Sequence, residues 1–347
     1  MEKVSSTVIV KPVNASCNMA CSYCYMNKIK KDYKSDLRVM SEKTLERTID
    51  FFCSDQKFVE FIWHGGEPLL AGRKFYKKVF ELQKKYNTNI KNFLQTNATL
   101  IDKDWVSLLK DIDFSVGVSL DSPLETHDLH RVDRLGKPTS RKVLDSIELL
   151  QEKKIFSGVI CCISRDNYKD PDKILRTFLD LKIKSIKFLR VRDSPNSISL
   201  MEFNDFLFKI FNIWLEINDP ELDIRDIKSV VNVMLGGSFR ECSMLGDCAR
   251  FLTVYCDGKI FPCDNFLDSK PFGSVFDSRN SIFKGKEFIQ FSNWLEKINS
   301  DCPKCEWFYL CKGGCSNYKM EKDSLYCESR KIFFKNIFEV LNNFNLI

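Results

Sequence analysis

The chain has 347 residues, of which 44% are hydrophobic and 29% charged, and its formal net charge is +6. This length suits one large domain with a smaller one, and the composition is typical of a soluble globular protein. No apolar run approaches about 18 residues, which argues against a membrane span, and the basic residues alternate with acidic or apolar ones, which argues against a nucleic-acid interface. We therefore expect no membrane and no nucleic-acid partner and, because residues 1–13 lack a signal-peptide pattern, a cytoplasmic location.

Apolar runs alternate with amphipathic segments through the first two-thirds of the chain. Near-continuous apolar runs indicate parallel strands that are buried on both faces. The predicted strands are Thr7–Val13, Phe58–Trp63, Ile90–Gln95, Phe114–Leu120, Phe156–Ser164 and Ser185–Val191. The predicted helices are one capped by Ser41, then Lys74–Tyr86, Lys103–Lys110, Ser140–Lys153 and Pro171–Leu181. This α/β order predicts a partial (β/α)6 TIM-like barrel with its active site at the carboxyl ends of the strands.

The composition changes near Gly236-Gly237, where we expect a domain boundary. Residues 201–235 read as connecting helices, and Ser329–Asn342 reads as a final helix with one apolar face. The chain has 15 cysteines against three histidines, and nine of these cysteines lie between Cys242 and Cys327. In a chain of this size such a count indicates metal sites, and the scarcity of histidine favours iron–sulfur clusters over Cys/His zinc sites.

Cys17, Cys21 and Cys24 directly follow the first predicted strand with the spacing C-x3-C-x2-C. Three thiolates can hold three irons of a [4Fe–4S] cube and leave the fourth iron open to another ligand. The alternative is a structural or zinc-binding set of cysteines. Zinc sites, however, usually pair C-x2-C with a second pair of ligands, and no histidine lies near this loop.

Polar and glycine-rich motifs follow the next three strands, at the predicted active-site edge. His64-Gly65-Gly66-Glu67-Pro68 follows the second strand, Thr96-Asn97 follows the third, and Ser119 and Asp121 end the fourth. Glycines permit close approach of the backbone to a ligand, although an ordinary turn is the alternative for this sequence. Arg131 lies further along, and its planar guanidinium suits a carboxylate ligand, with a surface charge as the alternative.

Eight cysteines of the C-terminal third are enough for two closed four-cysteine clusters. They are Cys242, Cys248, Cys263, Cys302, Cys305, Cys311, Cys315 and Cys327. A zinc ribbon over Cys302–Cys315 is the alternative. The remaining cysteines are Cys53, Cys161, Cys162 and Cys256, which we interpret as structural thiols.

These motifs resemble those of the radical S-adenosylmethionine (AdoMet) enzymes with a SPASM domain. The nearest resemblance is to the anaerobic sulfatase-maturating enzymes and related peptide maturases. It rests on the cysteine loop, Gly65–Gly72, Leu94–Asn97, Val116–Asp121 and Trp307–Cys315. It implies an AdoMet-binding core over residues 1–235 with its connecting helices, and a cysteine-rich SPASM domain with the final helix over residues 236–347.

The resemblance also assigns roles to single residues. It implies that AdoMet completes the cluster of Cys17, Cys21 and Cys24. The implied AdoMet-binding residues are Tyr23 and Tyr25 near the adenine, Gly65, Gly66 and Glu67 near the methionine amino group, Ser119 and Arg131 near the methionine moiety, and Arg192 through its backbone. Asp264, next to Cys263, is the implied catalytic base.

In the same family the C-terminal ligands interleave between two auxiliary [4Fe–4S] clusters, which makes three clusters in all. Auxiliary cluster I takes Cys242, Cys248, Cys263 and Cys315. Auxiliary cluster II takes Cys302, Cys305, Cys311 and Cys327. The resemblance, and not the spacing, provides this partition.

The implied reaction is hydrogen abstraction from a peptide or protein by a 5′-deoxyadenosyl radical, with a reductant such as flavodoxin or ferredoxin. The product would be Cα-formylglycine from a cysteine or serine or, in a peptide maturase, a crosslink. His64 stands where that family usually has glutamine, and Met26 stands where a substrate-contacting tyrosine can occur. A multi-cluster electron carrier is the alternative from another class, but it would need no AdoMet-binding motifs.

Overall fold

The computed structural model describes residues 7–28, 38–239, 241–246, 248, 251–266, 269–320 and 325–346. Residue contacts divide the chain into two compact units. The first comprises residues 1–119, 132–157 and 248–294, and the second comprises residues 120–131, 158–247 and 295–347. This division by contacts differs from the predicted boundary at Gly236-Gly237, which stays a prediction about function. None of the helices in the described ranges is long and apolar enough to cross a membrane.

The first unit is built on a mostly parallel sheet. Its strands are β1 (Thr7–Lys11), β2 (Phe58–Trp63), β3 (Asn89–Thr96), β4 (Phe114–Ser119), β8 (Leu252–Tyr255), β9 (Lys259–Phe261) and β10 (Gly273–Ser274). The spatial order is β10-β9-β8-β1-β2-β3-β4. The strands from β8 to β4 run parallel, and β9 and β10 are antiparallel to their neighbours. The parallel strands of this unit therefore deliver their carboxyl ends to one edge.

Helices accompany these strands. They are α1 (Glu42–Cys53), α2 (Arg73–Gln83), α3 (Lys103–Asp111), α5 (Ser140–Glu152), α9 (Arg279–Phe283) and most of α10 (Lys286–Ile298). Ser41 caps α1 by accepting a hydrogen bond from the Thr44 amide, as the sequence predicts. The core centres on Trp63, which is fully buried, stacks on Phe61 and donates to Asn92 Oδ1 at 2.9 Å.

The second unit contains the remaining parallel strands and a helical layer. Its strands are β5 (Phe156–Ile163, less its first two residues), β6 (Ser185–Arg190) and β7 (Asp223–Ile224). Its helices are α4 (Leu124–His130), α6 (Pro171–Asp180), α7 (Leu200–Ile217), α8 (Arg225–Met234), α11 (Phe308–Cys311), α12 (Ser316–Lys319) and α13 (Tyr326–Asn343). The long helices α7 and α13 pack together, and Asn204 donates to Ser329 Oγ at 2.8 Å between them.

The predicted elements of the first two-thirds are present with small shifts at their ends. Strand β2 has the predicted bounds, whereas β1 ends at Lys11 and not at Val13, because Pro12 lacks the amide that a strand pairing needs. The final helix begins at Tyr326, three positions before the predicted start. The short strands β8, β9 and β10 lie outside the sequence prediction.

Candidate active site

The three N-terminal cysteines lie on the loop that follows β1, and all three are half-buried. Cys17 Sγ accepts hydrogen bonds from the Met19 amide at 3.4 Å and from Asn97 Nδ2 at 3.6 Å. Burial, with smaller contributions from Glu67, Cys21 and Cys24, raises the pKa of the Cys17 thiol to about 12, while the hydrogen bond from the Met19 amide opposes the shift. Because Cys21 and Cys24 disfavour the thiolate of Cys17, the loop suits a positively charged iron centre that would offset this repulsion.

The glycine-rich turn after β2 packs directly on this cysteine loop. The Gly66 amide donates to the Asn14 carbonyl at 2.8 Å, and the Glu67 amide donates to the Ser16 carbonyl at 2.8 Å. A Cβ atom at Gly66 would overlap the carbonyl group of Ser16. Only glycine therefore allows the two backbones to approach this closely. The structure thus brings together the two motifs that the sequence places after β1 and β2.

Glu67 is fully buried and binds groups of the protein itself. Its carboxylate accepts hydrogen bonds from the Leu69 amide at 3.0 Å, Thr96 Oγ1 at 2.8 Å and the Asn97 amide at 2.9 Å. Burial raises the pKa of Glu67 to about 7, although these three hydrogen bonds favour the charged form. Glu67 therefore ties the glycine-rich turn to the carboxyl end of β3.

Asp264 contacts residues of the first strand and of the cysteine loop. Its Oδ2 atom lies 2.9 Å from the donating hydroxyl of Tyr25 and 3.7 Å from Lys11 Nζ. Lys11 is fully buried at the end of β1, and its ammonium lies 5.0 Å from the Tyr255 ring centroid. Burial lowers the pKa of Lys11, and the Asp264 carboxylate opposes that shift. The arrangement places a carboxylate and its counter-charge beside both Cys24 and Cys263.

Lys11 is a functional candidate that the sequence analysis does not single out. A lysine at a strand end usually extends its ammonium into water. The run Thr7–Val13 offers one indication, because Lys11 is its only charged residue. Its buried position becomes visible only when β8 pairs with β1 and brings Tyr255 opposite Lys11.

His64 is held as a neutral imidazole next to the glycine-rich turn. Its Nδ1 atom accepts a hydrogen bond from the Gly65 amide at 2.7 Å, so a neutral ring carries its proton on Nε2. Burial lowers the pKa of His64, with Lys11 lowering it further and Asp264 opposing the shift. The side chain at this position is therefore a hydrogen-bonding group without charge.

The remaining predicted AdoMet-binding residues of the first unit are Ser119, Tyr23 and Tyr25. Ser119 ends β4 half-buried, and its Oγ atom accepts from Gln95 Nε2 at 3.2 Å. Tyr23 and Tyr25 are half-buried on either side of Cys24. The hydroxyl of Tyr25 binds Asp264, which gives this residue a second role besides its predicted proximity to the adenine.

Arg131 and Arg192 belong to the second unit and contact other protein groups. The Arg131 guanidinium binds the buried Asp121 carboxylate at 2.9 and 3.2 Å and approaches Cys162 Sγ at 3.5 Å. Arg192 donates to Asn317 Oδ1, and its guanidinium lies 5.5 Å from the Tyr318 ring centroid. Arg131 therefore binds an internal carboxylate, and its predicted contact with AdoMet stays a prediction.

Four C-terminal cysteines line a single cavity of the second unit, which measures about 570 Å³. They are Cys302, Cys305, Cys311 and Cys327. Burial raises the pKa of Cys327, and the other three thiols raise it as well while Lys319 lowers it. Thiols that share one cavity and influence one another in this way fit a four-cysteine cluster.

The other four predicted ligands divide between the units. Cys242 and Cys315 belong to the second unit, and Cys248 and Cys263 to the first. The Cys315 amide donates to Tyr326 Oη at 2.7 Å. Across the described ranges no three His, Cys, Asp or Glu side chains converge on one point that could hold a single metal ion. An iron–sulfur cube, in contrast, binds one cysteine at each iron.

Two family models match the chain. The radical SAM superfamily model matches residues 12–178, and the SPASM iron–sulfur cluster-binding domain model matches residues 247–306. These matches cover the N-terminal cysteine loop and four of the eight predicted C-terminal ligands. They confirm the predicted mixed α/β fold with parallel strands and a cysteine-rich C-terminal segment.

Curated relatives match over nearly the full length. The chain is 32% identical over 361 residues to the cysteine-type anaerobic sulfatase-maturating enzyme of Clostridium perfringens, with 97% of each chain covered. It is 28% identical to the serine-type anaerobic sulfatase-maturating enzyme of Bacteroides thetaiotaomicron, covering 91% of this chain and 83% of the relative. The solved structure of native anSMEcpe with bound AdoMet and the Cp18Cys peptide matches with a TM-score of 0.87 and 31% identity, covering 98% of this chain and 99% of that one.

Proposed function

Because the chain belongs to the family of anaerobic sulfatase-maturating enzymes, which are radical SAM proteins with a SPASM domain, we propose that it oxidises a side chain of a peptide or protein to Cα-formylglycine. The substrate residue is a cysteine or a serine of a sulfatase. The observation that carries this proposal is the placement of Asp264 on Tyr25, which puts a carboxylate beside the three-cysteine loop.

We assign a [4Fe–4S] cluster to Cys17, Cys21 and Cys24, with AdoMet on the open iron. The chemistry that AdoMet supplies when bound is hydrogen abstraction by a 5′-deoxyadenosyl radical. Gly65 and Gly66 bring the turn after β2 against the cysteine loop, so that its backbone is available to the methionine amino group. Glu67 fixes that turn to β3 from inside the protein.

The rest of the AdoMet pocket is proposed on the family resemblance. Ser119 and Arg131 contact the methionine moiety, Tyr23 or Tyr25 packs near the adenine, and Arg192 contributes a backbone contact. In this proposal residues 1–235 form the AdoMet-binding core and residues 236–347 form the SPASM domain. This proposed boundary divides the chain by function. It does not coincide with the division by contacts, because residues 248–294 lie in the same compact unit as β1–β4.

We further propose two auxiliary [4Fe–4S] clusters, which makes three in all. Cluster II uses the four cysteines that share the cavity of the second unit, Cys302, Cys305, Cys311 and Cys327. Cluster I uses Cys242, Cys248, Cys263 and Cys315, and this set rests on the family resemblance alone. A one-electron carrier such as flavodoxin or ferredoxin supplies electrons, and the working location is the cytoplasm.

Asp264 is the proposed base for the second half of the oxidation. Oxidation of a thiol-bearing carbon to a thioaldehyde removes two electrons and two protons, and water then replaces the sulfur to give the aldehyde and hydrogen sulfide. One hydrogen atom leaves by abstraction. The remaining electron goes to an auxiliary cluster and the remaining proton to Asp264, which Tyr25 and Lys11 hold in position.

His64 favours one second candidate, a maturase that crosslinks a precursor peptide. The run from His64 to Gly72 also resembles that of peptide-crosslinking maturases, and His64 is hydrogen-bonded to the turn that it begins. Formation of a crosslink leaves no aldehyde on the substrate. Trapping of the product with a hydrazide reagent therefore separates the two reactions.

The test uses anaerobically reconstituted protein with AdoMet, a strong reductant and a sulfatase peptide that carries cysteine or serine at the target position. We expect 5′-deoxyadenosine and a hydrazide-reactive peptide. The variant Cys17→Ala/Cys21→Ala/Cys24→Ala should form neither product, whereas Cys53→Ala, which alters a buried thiol of α1, should form both. An unmodified peptide without 5′-deoxyadenosine would overturn the enzyme proposal in favour of an electron carrier.

A further inference from the structure

The cavity of the four C-terminal cysteines is also lined by three cationic residues that the proposed reaction does not use. Lys331 is exposed, whereas Lys319, the last residue of α12, and Arg330, on α13, are half-buried. A closed cluster needs only its four thiolates as ligands. The two cations therefore require an explanation beyond ligation.

Lys319 is held against one of the thiols. Its Nζ atom lies 3.0 Å from Cys302 Sγ and 2.6 Å from Asn299 Oδ1. The Lys319 ammonium therefore donates to the sulfur while its second hydrogen bond, to Asn299, restrains it. A donor that is charged and fixed at this distance makes a stronger hydrogen bond than a neutral one.

Arg330 presents its guanidinium to the same cavity in a desolvated state. Its Nε and Nη2 atoms are buried and have no acceptor among the residues that the structure describes. The guanidinium lies 4.7 Å from the Phe334 ring centroid and 5.4 Å from that of Tyr326, and these rings limit its movement. Buried donors without an acceptor are unfavourable, so this end of the cavity suits an occupant with anionic acceptor atoms.

We propose that Lys319 and Arg330 raise the reduction potential of the cluster held by Cys302, Cys305, Cys311 and Cys327. This inference rests on the proposed assignment of cluster II. One-electron reduction adds one negative charge to the cluster and no proton, and two fixed cations stabilise that charge. The electron comes from the substrate oxidation and leaves to the oxidised form of the external one-electron carrier, whose reduced form supplies the electron that cleaves AdoMet. The proposed function assigns Lys319 and Arg330 no contact with AdoMet or substrate, so they are tuning residues and not catalytic ones.

The test is a potentiometric titration of the full-length protein followed by electron paramagnetic resonance. All substitutions are introduced into the variant Cys17→Ala/Cys21→Ala/Cys24→Ala, because its spectra report only the auxiliary clusters. Lys319→Gln and Arg330→Gln each remove one charge, and Lys335→Gln removes a charge from the exposed side of α13, where Lys335 pairs with Glu339.

We expect each of the first two variants to disfavour the reduced form about tenfold, which lowers one midpoint potential by about 59 mV. Lys335→Gln should leave both auxiliary midpoints unchanged. Unchanged midpoints in Lys319→Gln and Arg330→Gln at full iron content would overturn the inference, as would zinc in place of iron at these cysteines.

Two further variants, Lys319→Arg and Arg330→Lys, keep the positive charge and change only the shape of the side chain. They are used if Lys319→Gln and Arg330→Gln both lose iron, because they separate an effect of the charge on the potential from an effect of side-chain packing. If Lys319→Arg and Arg330→Lys have the iron content and the midpoint potentials of the wild type, the inference is supported. A lowered midpoint potential in these variants contradicts it. This readout needs no AdoMet, so a failure of the proposed function, seen as absent 5′-deoxyadenosine, is distinguishable from a failure of the tuning.

Discussion

The hydroxyl of Tyr25 donates a hydrogen bond to Asp264 Oδ2 at 2.9 Å, across a sequence separation of 239 residues. Tyr25 follows Cys24, a proposed ligand of the AdoMet-binding cluster, and Asp264 follows Cys263, a proposed ligand of auxiliary cluster I. The bond therefore fixes the proposed base relative to the loop where hydrogen abstraction begins. One hydrogen bond thus connects the cysteine loop of the proposed hydrogen abstraction with the carboxylate of the proposed proton transfer.

Tyr25→Phe tests this contact. The variant loses a hydrogen bond to a charged acceptor, a contribution of about 1.5–3 kcal/mol, so we expect aldehyde formation to fall tenfold or more. Formation of 5′-deoxyadenosine should continue, because the cluster ligands are intact. The measurement is the ratio of aldehyde to 5′-deoxyadenosine.

Tyr86→Phe is the matched control for that experiment. Tyr86 also donates to an aspartate, Asp50 Oδ1, at 3.0 Å, but Asp50 lies on α1, which carries no proposed site residue. Its product ratio should equal that of the wild type. Equal ratios in Tyr25→Phe and Tyr86→Phe would remove Tyr25 from the proposed proton step.

The Lys11–Asp264 pair predicts an interaction between two substitutions. Asp264→Asn should abolish the aldehyde while sparing 5′-deoxyadenosine, and it also leaves the buried Lys11 ammonium without its counter-charge. Breaking a buried pair from one side costs about 3–5 kcal/mol, whereas replacing both members is often neutral. We therefore expect the anaerobic melting temperature to fall in Asp264→Asn and to recover in Lys11→Met/Asp264→Asn.

Melting temperatures of the two single variants and the double variant, compared at equal iron content, check this expectation. If the decrease in melting temperature of the double variant equals the sum of the decreases in Lys11→Met and Asp264→Asn, the two charges do not stabilise each other. Full aldehyde formation by Asp264→Asn would exclude Asp264 as the base, whatever the melting temperatures are.

Local apolar patterns determine the parts of the fold that the sequence predicts well. Strand β2 has its predicted bounds because an apolar run between polar turns is a property of consecutive residues. The surroundings of Lys11 depend instead on β8, which pairs with β1 so that Val8 lies opposite Leu252. A single sequence does not specify such a long-range pairing, so the ion pair with Asp264 was not predictable.

Arg131 illustrates the same limit at the site. The chemistry of its guanidinium predicts a carboxylate partner, and the structure supplies Asp121, ten positions earlier in the chain. Residue type thus predicts the kind of contact, whereas the fold selects the partner. The partition of the C-terminal cysteines came from the family resemblance and not from their spacing, and the four thiols of its second set line one cavity.

Glu67 predicts a pH dependence of stability. Burial disfavours the charged form and raises the pKa of Glu67 from its ordinary value of 4.5 to about 7 in the folded chain. The folded state therefore binds the proton more tightly than the unfolded state. This contribution to the free energy of unfolding is fully present below pH 4.5 and is lost as the pH rises through 7, with a total change of about 3 kcal/mol.

Glu67→Gln removes the titrating group at nearly constant volume. The difference in unfolding free energy between wild type and Glu67→Gln should shrink as the pH rises from 4.5 to 7, and urea unfolding of the iron-free protein at several pH values measures it. A difference that stays constant over this window would show that the three hydrogen bonds to Glu67 fully offset its burial.

Gly66→Ala tests the close approach of the two loops. A Cβ atom at this position overlaps the carbonyl of Ser16, the residue before Cys17, so the cysteine loop and the glycine-rich turn must separate. We expect a loss of AdoMet binding that exceeds any loss of iron, because the cysteines remain while the backbone that faces the methionine moves. Gly72→Ala belongs to the same sequence run but finds open space around its Cβ atom, and it meets only the strain of a positive φ, about 1–3 kcal/mol. The change that AdoMet induces in the spectrum of the N-terminal cluster should therefore persist in Gly72→Ala and disappear in Gly66→Ala. Retention of the full spectral change in Gly66→Ala would show that AdoMet binding does not depend on contact between the two loops.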